Sequence, residues 1–222
     1  MRTLALGDIH GCLTALEALA QAVPFRPDDQ LVLLGDYVDK GPNTRGTLDW
    51  LCRLSQRAQV IALRGNHDQM MLDARHDRDA FDDWIASGGD ATLRSYRLPL
   101  NLDAMARVPE RHWRFLENTT LIHVADQHFF VHGNADPARP LDQQLPRTLL
   151  WEKCYAAEPH PSGKTMVCGH ASQKDGLVLD LGFALCIDTW ACGDGYLTAY
   201  DPTAERFWQA NRAGQTQTGQ RL

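Results

Sequence analysis

The chain has 222 residues, of which 44% are hydrophobic and 23% charged, and its formal net charge is −6. This length and composition are typical of a soluble protein with one globular domain. The negative charge argues against a general nucleic-acid-binding surface or a surface for anionic membranes, since either would need an excess of basic residues. No apolar run approaches the roughly 18 residues of a membrane span, and no targeting segment is recognised, so we expect a cytoplasmic protein.

The first third of the sequence alternates short apolar runs with stretches of helical spacing. Strands are predicted at 3–6, 31–34 and 60–63, and helices at 13–23 and 44–57. Continuous apolar strands joined by helices are typical of an α/β protein whose sheet is covered on both faces. A polar cluster follows each strand at its carboxyl end, where ligands bind in open α/β sheets.

The rest of the chain has a different texture. Residues 69–120 lack strand-like runs and are predicted to form a helical cap beside the site, broken at 87–90. Apolar runs return at 128–131, 165–168, 184–187 and 196–200, and predict strands that form a second sheet or complete the first. We therefore interpret residues 1–210 as a single domain. The polar, Gln-rich residues 211–222 are predicted to be a frayed C-terminal tail.

The six cysteines are scattered along the sequence and form no CxxC pair. They are Cys12, Cys52, Cys154, Cys168, Cys186 and Cys192. This spacing is typical neither of a disulfide scaffold nor of a structural zinc site. We expect reduced thiols that are mostly buried.

The polar clusters at the strand ends carry side chains that can bind metal ions. Asp8 and His10 stand two residues apart beyond the first strand and can face one cation. Asp36 follows the second strand, and its two carboxylate oxygens could bridge two cations. Asn66 follows the third strand and offers a neutral oxygen ligand. Each residue alone could equally be a turn former, a helix cap or a solvated side chain.

Further histidines and an arginine extend this pattern. His67 is a possible proton donor, and Arg64 is positioned to clamp a phosphate. His132 and His170 each follow an apolar strand, although a lone histidine of this kind is usually a core or surface residue. The occurrence of all these groups in order, always at strand ends, favours one shared site.

Taken together, the motifs resemble those of the phosphoprotein phosphatase family of calcineurin-like metallophosphoesterases. They are GDIHG at 7–11, GDYVDKG at 35–41, RGNHD at 64–68, HG at 132–133 and GH at 169–170. The resemblance covers residues 3–201. It is strongest to the small bacterial members, which are serine/threonine protein phosphatases and symmetrical diadenosine tetraphosphate hydrolases. It implies a metal-centred β-sandwich of two mixed sheets flanked by helices.

The resemblance also implies a ligand set for two divalent metal ions. The first ion would be held by Asp8, His10 and Asp36, and the second by Asp36, Asn66, His132 and His170. Oxygen and imidazole ligands without thiolate suit manganese, iron or zinc, and we expect Mn²⁺. A hydroxide shared by the two ions would attack the phosphorus.

The family's other roles pass to residues next to the ligands. The resemblance implies that His67 protonates the leaving oxygen, that Asp39 orients His67, and that Arg64 binds the phosphoryl oxygens. Two positions depart from the family pattern, because Lys40 and Lys153 stand where arginines are expected. Lysine supplies charge without the bidentate fork of arginine, so the grip on phosphate is expected to be looser or differently aimed.

Three functions stay open at the level of sequence. The leading hypothesis is a phosphomonoesterase for phosphoserine and phosphothreonine in proteins. The alternative is symmetrical cleavage of diadenosine tetraphosphate or hydrolysis of another nucleotide. An adenine pocket would need exposed aromatic rings, for which the candidates are Trp84, Tyr96, Trp113 and Trp151, all of them more often core residues. An inactive regulatory scaffold is disfavoured, because every expected metal ligand and the acid are present.

Overall fold

The computed structural model describes residues 2–23, 26 and 28–221, and these form two β-sheets with helices on their outer faces. The strands are β1 (Thr3–Leu6), β2 (Gln30–Leu33), β3 (Gln59–Ala62), β4 (Ile122–Val124), β5 (His128–Val131), β6 (Thr165–Cys168), β7 (Leu179–Asp180), β8 (Ala184–Cys186), β9 (Leu197–Asp201), β10 (Arg206–Ala210) and β11 (Thr216–Gln220). The α-helices are α1 (Leu13–Ala22), α2 (Thr44–Leu54), α3 (Asn66–Asp73), α4 (Arg78–Trp84), α5 (Asp90–Ser95), α6 (Glu110–Glu117) and α7 (Pro146–Trp151). Shorter helical turns span Ile85–Gly89, Leu102–Arg107, Leu141–Gln143 and Cys154–Ala156.

Both sheets are mixed. The first has the strand order β11-β10-β9-β1-β2-β3, with β1, β2 and β3 parallel and β9, β10 and β11 antiparallel. The second has the order β4-β5-β6-β8-β7, with β5, β6 and β8 parallel. The predicted α/β class with two mixed sheets is confirmed. Among the described residues, no helix is long and apolar enough to cross a membrane.

Successive residues of β1 face opposite sides of the first sheet, as the two-residue period of a strand requires. Ala5 packs with Phe130 and Val167 of the second sheet, in the apolar layer between the sheets. Leu6 packs instead with Leu16 of α1 in the larger core on the outer face. Each large apolar side chain that is fully buried in this way stabilises the fold by roughly 1.5–3 kcal/mol. The strand ends are therefore held rigidly.

The predicted helical region is present, and it packs against the body of the domain. Helices α3 to α6 lie between residues 66 and 117, and α2 contacts both α5 and α6. The predicted break falls at Gly88, whose φ of 111° is a conformation that glycine adopts more readily than other residues. The Gly88 carbonyl accepts a hydrogen bond of 3.2 Å from the backbone N–H of Lys40. This contact brings the helical region to the edge of the site.

The predicted frayed tail is wrong for residues 216–220, which form β11. This strand pairs antiparallel with β10, from Arg206 opposite Gln220 to Ala210 opposite Thr216. Backbone hydrogen bonds do not require an apolar side chain, so a polar segment can serve as an edge strand. Gly219 lets the Phe207 ring lie against the strand, since a Cβ there would be 2.4 Å from Phe207 Cε2. The ends of the predicted domain and tail, Met1 and Leu222, lie outside the described residues.

Candidate metal centre and active site

The turns that leave the parallel strands meet at one edge of the two sheets. Gly35 and Gly65 permit a close approach of two turns, because a Cβ on Gly35 would lie 2.4 Å from the Gly65 backbone nitrogen. Several non-glycine residues there adopt left-handed backbone angles, which cost L-residues roughly 1–2 kcal/mol each. They are His10, Asp36, Asp39, Lys40, His170 and Trp190, with φ between 44° and 70°. The turns therefore fix the direction of each side chain at an energetic cost.

Asp36 lies at the centre of the cluster. Its Oδ2 is 3.3 Å from His10 Nε2, and its Oδ1 is 3.5 Å from His132 Nε2. The carboxylate is 2% exposed. One carboxylate thus faces two imidazoles through its two different oxygens, which is the arrangement a carboxylate needs to bridge two ions.

Asn66 joins the two remaining histidines to this centre. Its Oδ1 lies 3.0 Å from His132 Nε2 and 3.0 Å from His170 Nδ1. The predicted ligands on four different turns and a helix start are therefore close together. They are Asp8, His10, Asp36, Asn66, His132 and His170.

Backbone carbonyls fix the proton on each of the three histidines. His10 Nδ1 donates to Val38 O at 2.7 Å, and His132 Nδ1 donates to Leu34 O at 2.9 Å. His170 uses its other nitrogen, since Nε2 donates to Trp151 O at 3.1 Å. In every case the nitrogen that faces the centre is left with its lone pair. This is the second contact that metal-binding histidines usually make.

Burial keeps these imidazoles neutral. It lowers the pKa of His10 to about 3 and the pKa of His170 to about 4, and it also lowers the pKa of His132. A neutral imidazole is the form that binds a metal ion. Lone pairs of nitrogen and oxygen then face each other inside the cluster, and this contact is favourable only when a cation lies between them.

Asp8 gives the clearest sign of an ion. Its Oδ2 accepts a hydrogen bond of 3.1 Å from the backbone N–H of His170, whereas Oδ1 is buried without any hydrogen-bond partner. Burial raises the pKa of Asp8 well above its usual range, with the negative charges of Asp188 and Asp36 adding to the effect. A cation beside this orphaned oxygen would compensate its burial among other carboxylates. The residues present therefore fit a centre of two divalent ions.

His67 and Asp39 form a hydrogen-bonded pair beside this centre. His67 Nδ1 is 2.8 Å from Asp39 Oδ2. Asp39 is fully buried and also accepts hydrogen bonds from Thr92 Oγ1 at 2.8 Å and from Trp84 Nε1 at 2.9 Å. Burial raises the pKa of Asp39, although the hydrogen bond from His67 opposes the rise. Asp39 is thus held by three donors and keeps the proton of His67 on Nδ1.

Trp84 is one of the aromatic residues that the sequence offered for an adenine pocket, and the structure excludes it from that role. Its ring is fully buried and its only polar atom donates to Asp39. Trp113 and Tyr96 are buried as well, at 1% and 6% exposure. Of the four candidates, Trp151 is the one with an exposed ring.

The predicted phosphate-binding role of Arg64 must be corrected, because its guanidinium group does not line the cavity. Nε donates to Thr119 Oγ1 at 2.8 Å, Nη1 to Gln69 Oε1 at 2.9 Å and Nη2 to Glu117 O at 3.1 Å. The cause lies one residue earlier, where Leu63 bridges to Thr120 and directs the following side chain along the turn after α6. Arg64 ties this turn to the start of α3 and is not placed to bind phosphate.

Asp68 has a role that the sequence analysis missed. Its Oδ2 accepts hydrogen bonds from the backbone N–H groups of Asp36 at 2.7 Å and Gly65 at 2.9 Å, and its Oδ1 accepts one from Tyr37 at 3.0 Å. The side chain is fully buried. Its place as third residue of α3 was a signal, since an acid there commonly caps the first turn. Here the same acid also fixes the turn that carries Asp36.

A cavity of about 330 Å³ lies over the centre. Three exposed lysines line it, Lys40, Lys153 and Lys174, and Lys40 Nζ is 3.1 Å from His10 Nε2. Tyr155 and Trp190 complete the wall. Lys40 and Lys153, the substrate-binding candidates of the sequence analysis, thus both line this cavity. Lys174, Tyr155 and Trp190 were missed, because only the folded loops bring them to the cavity.

The family follows from comparison with known proteins. Residues 1–197 match the model of the calcineurin-like phosphoesterase family. The chain therefore belongs to the calcineurin-like phosphoesterases. This family depends on a dinuclear metal site, and the described residues supply candidate metal-ligand clusters that share Asp36.

Two curated relatives carry different activities in their names. Serine/threonine-protein phosphatase 1 of Salmonella typhimurium is 41% identical over 86 residues, which are 38% of this chain and 38% of the relative. The symmetrical bis(5'-nucleosyl)-tetraphosphatase of Methylobacillus flagellatus is 29% identical over 170 residues, which are 73% of this chain and 56% of the relative. The match thus spans 38% of the length of the first curated relative and 56% of the length of the second. A solved structure provisionally named a diadenosine tetraphosphatase superposes on this chain with a TM-score of 0.66 at 22% sequence identity. The superposition covers 100% of this chain and 94% of that chain, and it shows that the two share a fold.

Proposed function

We propose that this chain is a metal-dependent phosphomonoesterase that acts on phosphoserine and phosphothreonine in proteins. The observation that carries the proposal is the placing of Asp36 between His10 and His132, with the His67–Asp39 pair directly beside it. Such a centre has the charge and the donors needed to bind a phosphoryl group. The similarity to a bacterial serine/threonine phosphatase favours the protein substrate.

Mn²⁺ is the ion we propose for the centre, with iron and zinc as alternatives. Asp8, His10 and Asp36 would hold one ion, and Asp36 with Asn66, His132 and His170 the other. Oxygen and imidazole ligands suit these metals, and no sulfur atom belongs to the set. When bound, two such ions neutralise charge on the phosphoryl oxygens and lower the pKa of water.

His67 is the group we propose for donating a proton to the leaving oxygen. It lines the cavity, and its Nδ1 proton is occupied by Asp39. Nε2 is therefore the nitrogen that can donate a proton to the leaving oxygen, which requires a ring that carries a proton on each nitrogen. Asp39 acts as a positioning residue, since its own hydrogen bonds to Trp84 and Thr92 prevent it from turning away.

The three lysines of the cavity are proposed to hold the phosphoryl oxygens. Each presents a single charged nitrogen, so a phosphate would be bound by separate charge-assisted hydrogen bonds instead of an arginine fork. Arg64 has no part in this proposal. The lysines lie on three different turns, and their spacing would set which phosphate ester fits.

Turnover after metal restoration tests the proposal. Purified, metal-stripped protein would be incubated with Mn²⁺ and given p-nitrophenyl phosphate, a phosphothreonine peptide or diadenosine tetraphosphate. We expect metal-dependent release of phosphate from the first two. Failure of the restored protein to cleave any of the three would contradict the proposal.

Symmetrical hydrolysis of diadenosine tetraphosphate is the second candidate function. The similarity to a bis(5'-nucleosyl)-tetraphosphatase over 73% of the chain favours it. So does Tyr155, an exposed ring on the cavity wall, with the exposed Trp151 four residues earlier. In the same assay, faster cleavage of the nucleotide than of the phosphopeptide would select this function.

We also propose that the protein acts in the cytoplasm. All six cysteines are free thiols. Free thiols are typical of a reducing compartment. Recovery of the tagged protein in the cytoplasmic fraction of cells would test this location.

A further inference from the structure

Three cysteines that are far apart in the sequence converge behind the proposed active site. The Sγ atoms of Cys154, Cys168 and Cys186 all lie within 4.8 Å of one another. Cys168 and Cys186 are directly opposite each other on the parallel strands β6 and β8. Cys154 begins the short turn 154–156, which packs over the outer face of that sheet. Since the fold alone makes this cluster, the scattered spacing in the sequence gave no sign of it.

The three sulfurs lie close to the spacing that one shared ion requires. Bonds from zinc to sulfur are about 2.3 Å long, so three sulfurs on one tetrahedral ion lie roughly 3.8 Å apart. Since the Sγ atoms lie within 4.8 Å of one another, a shift of each by at most about 0.6 Å would bring all three onto one ion. Cys186 Sγ also lies 3.2 Å from Gly169 O, which places a carbonyl oxygen near the cluster.

The chemistry of this cluster differs from that of the dinuclear centre. Sulfur ligands select thiophilic ions, whereas the oxygen and imidazole ligands around Asp36 suit harder ions. A divalent ion bound by three thiolates leaves one net negative charge, which costs less to bury than three separate thiolates. The surroundings of the sulfurs are apolar, with Phe129 and Leu149 in the same cluster.

We propose that Cys154, Cys168 and Cys186 form a second metal site, which takes one thiophilic divalent ion of the zinc and cadmium class. Binding breaks three S–H bonds, forms three bonds from sulfur to the ion and releases three protons to solvent. The site is independent of the ions proposed for hydrolysis, because it shares no ligand with them.

The cysteine site lies next in sequence to residues that line the cavity over the dinuclear centre. Cys154 directly follows Lys153, and Cys168 stands two residues before His170. A bound ion therefore ties the loop that carries a cavity lysine to the strand that leads into the turn with a histidine of the centre. Loss of the ion frees that loop at its Cys154 end.

A titration of reduced, metal-stripped protein with Cd²⁺ tests the site directly. We expect the ultraviolet charge-transfer absorption of cadmium bound to thiolate, saturating at one ion per chain. Ions bound at the dinuclear centre cannot produce this absorption, since that centre contains no sulfur. Bound cadmium, measured on the same samples, should exceed that of the triple variant C154A/C168A/C186A by one ion per chain.

Matched variants decide which sulfurs bind. The single variants C154A, C168A and C186A should each weaken cadmium binding at this site at least tenfold. The control C52A/C192A removes two cysteines outside the cluster and should keep the full absorption. Folding of each variant is checked by circular dichroism, and the wild-type titration stands whether or not a variant folds.

Two results would overturn the proposal. One is the absence of thiolate absorption in the wild type, which would show that the three sulfurs only pack as small apolar groups. The other is absorption that survives in the triple variant or disappears in C52A/C192A, which would place the bound cadmium on other cysteines.

Discussion

The floor of the cavity, which comprises the proposed metal ligands, differs in construction from its wall, which carries Lys40, Lys153 and Lys174. On the floor, each histidine of the centre is held by a backbone carbonyl, and the Asp36 turn is held by Asp68. On the wall, the three lysines are exposed and stand on separate turns. Rigid, buried ligand groups suit a reaction that needs the same geometry in every catalytic cycle. Exposed, flexible cations suit a surface that changes with the substrate, so the wall and not the floor is expected to determine specificity.

Removing the Asp36 carboxylate should have the largest effect on activity. We expect Asp36→Asn to lower turnover by roughly 10⁴-fold or more, because both proposed ions would lose their shared ligand and would no longer neutralise the phosphoryl charge. Metal content and p-nitrophenyl phosphate turnover would be measured together. Normal turnover in a variant that has lost one ion per chain would contradict the bridging role.

Removing the acid should spare the ions while slowing the reaction. His67→Ala is expected to lower kcat by about 10²–10⁴-fold, the usual worth of a positioned proton donor. Asp39→Asn serves as the matched variant and should show a smaller loss, since His67 is still present but less well oriented. Retained metal content with unchanged kcat in His67→Ala would exclude the proposed acid.

Changes to the wall should have smaller effects, and those effects should depend on the substrate. We expect Lys40→Met, Lys153→Met and Lys174→Met each to raise KM by roughly tenfold, because each would remove one of the charged hydrogen bonds that we propose to phosphate. The ratio of phosphopeptide to nucleotide turnover should shift more than kcat on p-nitrophenyl phosphate. Equal losses on every substrate would place these lysines in the chemistry and remove the contrast between floor and wall.

Arg64 should have the smallest effect on catalysis. Arg64→Met leaves several carbonyl and side-chain acceptors without their donor, so we expect about 1–3 kcal/mol lower stability in urea unfolding. KM for p-nitrophenyl phosphate should stay within about twofold of the wild type. A large rise in KM without loss of stability would restore the phosphate-binding role that the structure argues against.

The floor could be predicted from the sequence because its residues are tied to strand ends. Asp8, Asp36 and Asn66 each stand just after a parallel strand, and parallel strands bring their carboxyl ends to one edge. The two sheets were predictable for the same reason, since continuous apolar runs predict buried strands. The spacing of these residues did not show which ligand would bind which ion. That assignment came from the resemblance to the family motifs.

What the sequence missed depends on contacts between distant segments. The direction of Arg64 is set by the bridge from Leu63 to Thr120, more than fifty residues away in sequence. β11 is polar and was not recognised, because its pairing with β10 rests on backbone groups. The cysteine cluster needs the register of β6 against β8, which no local pattern reports.

Where residues of the centre have left-handed backbone angles, catalytic activity and thermal stability favour different amino acids. Asp36 and His170 hold backbone angles that glycine would adopt at lower cost. If selection acted on heat resistance alone, it would favour glycine at such positions and thereby erase the ligands. The protein therefore carries a trade-off in its turns, and variants that gain melting temperature there are expected to be poorer catalysts.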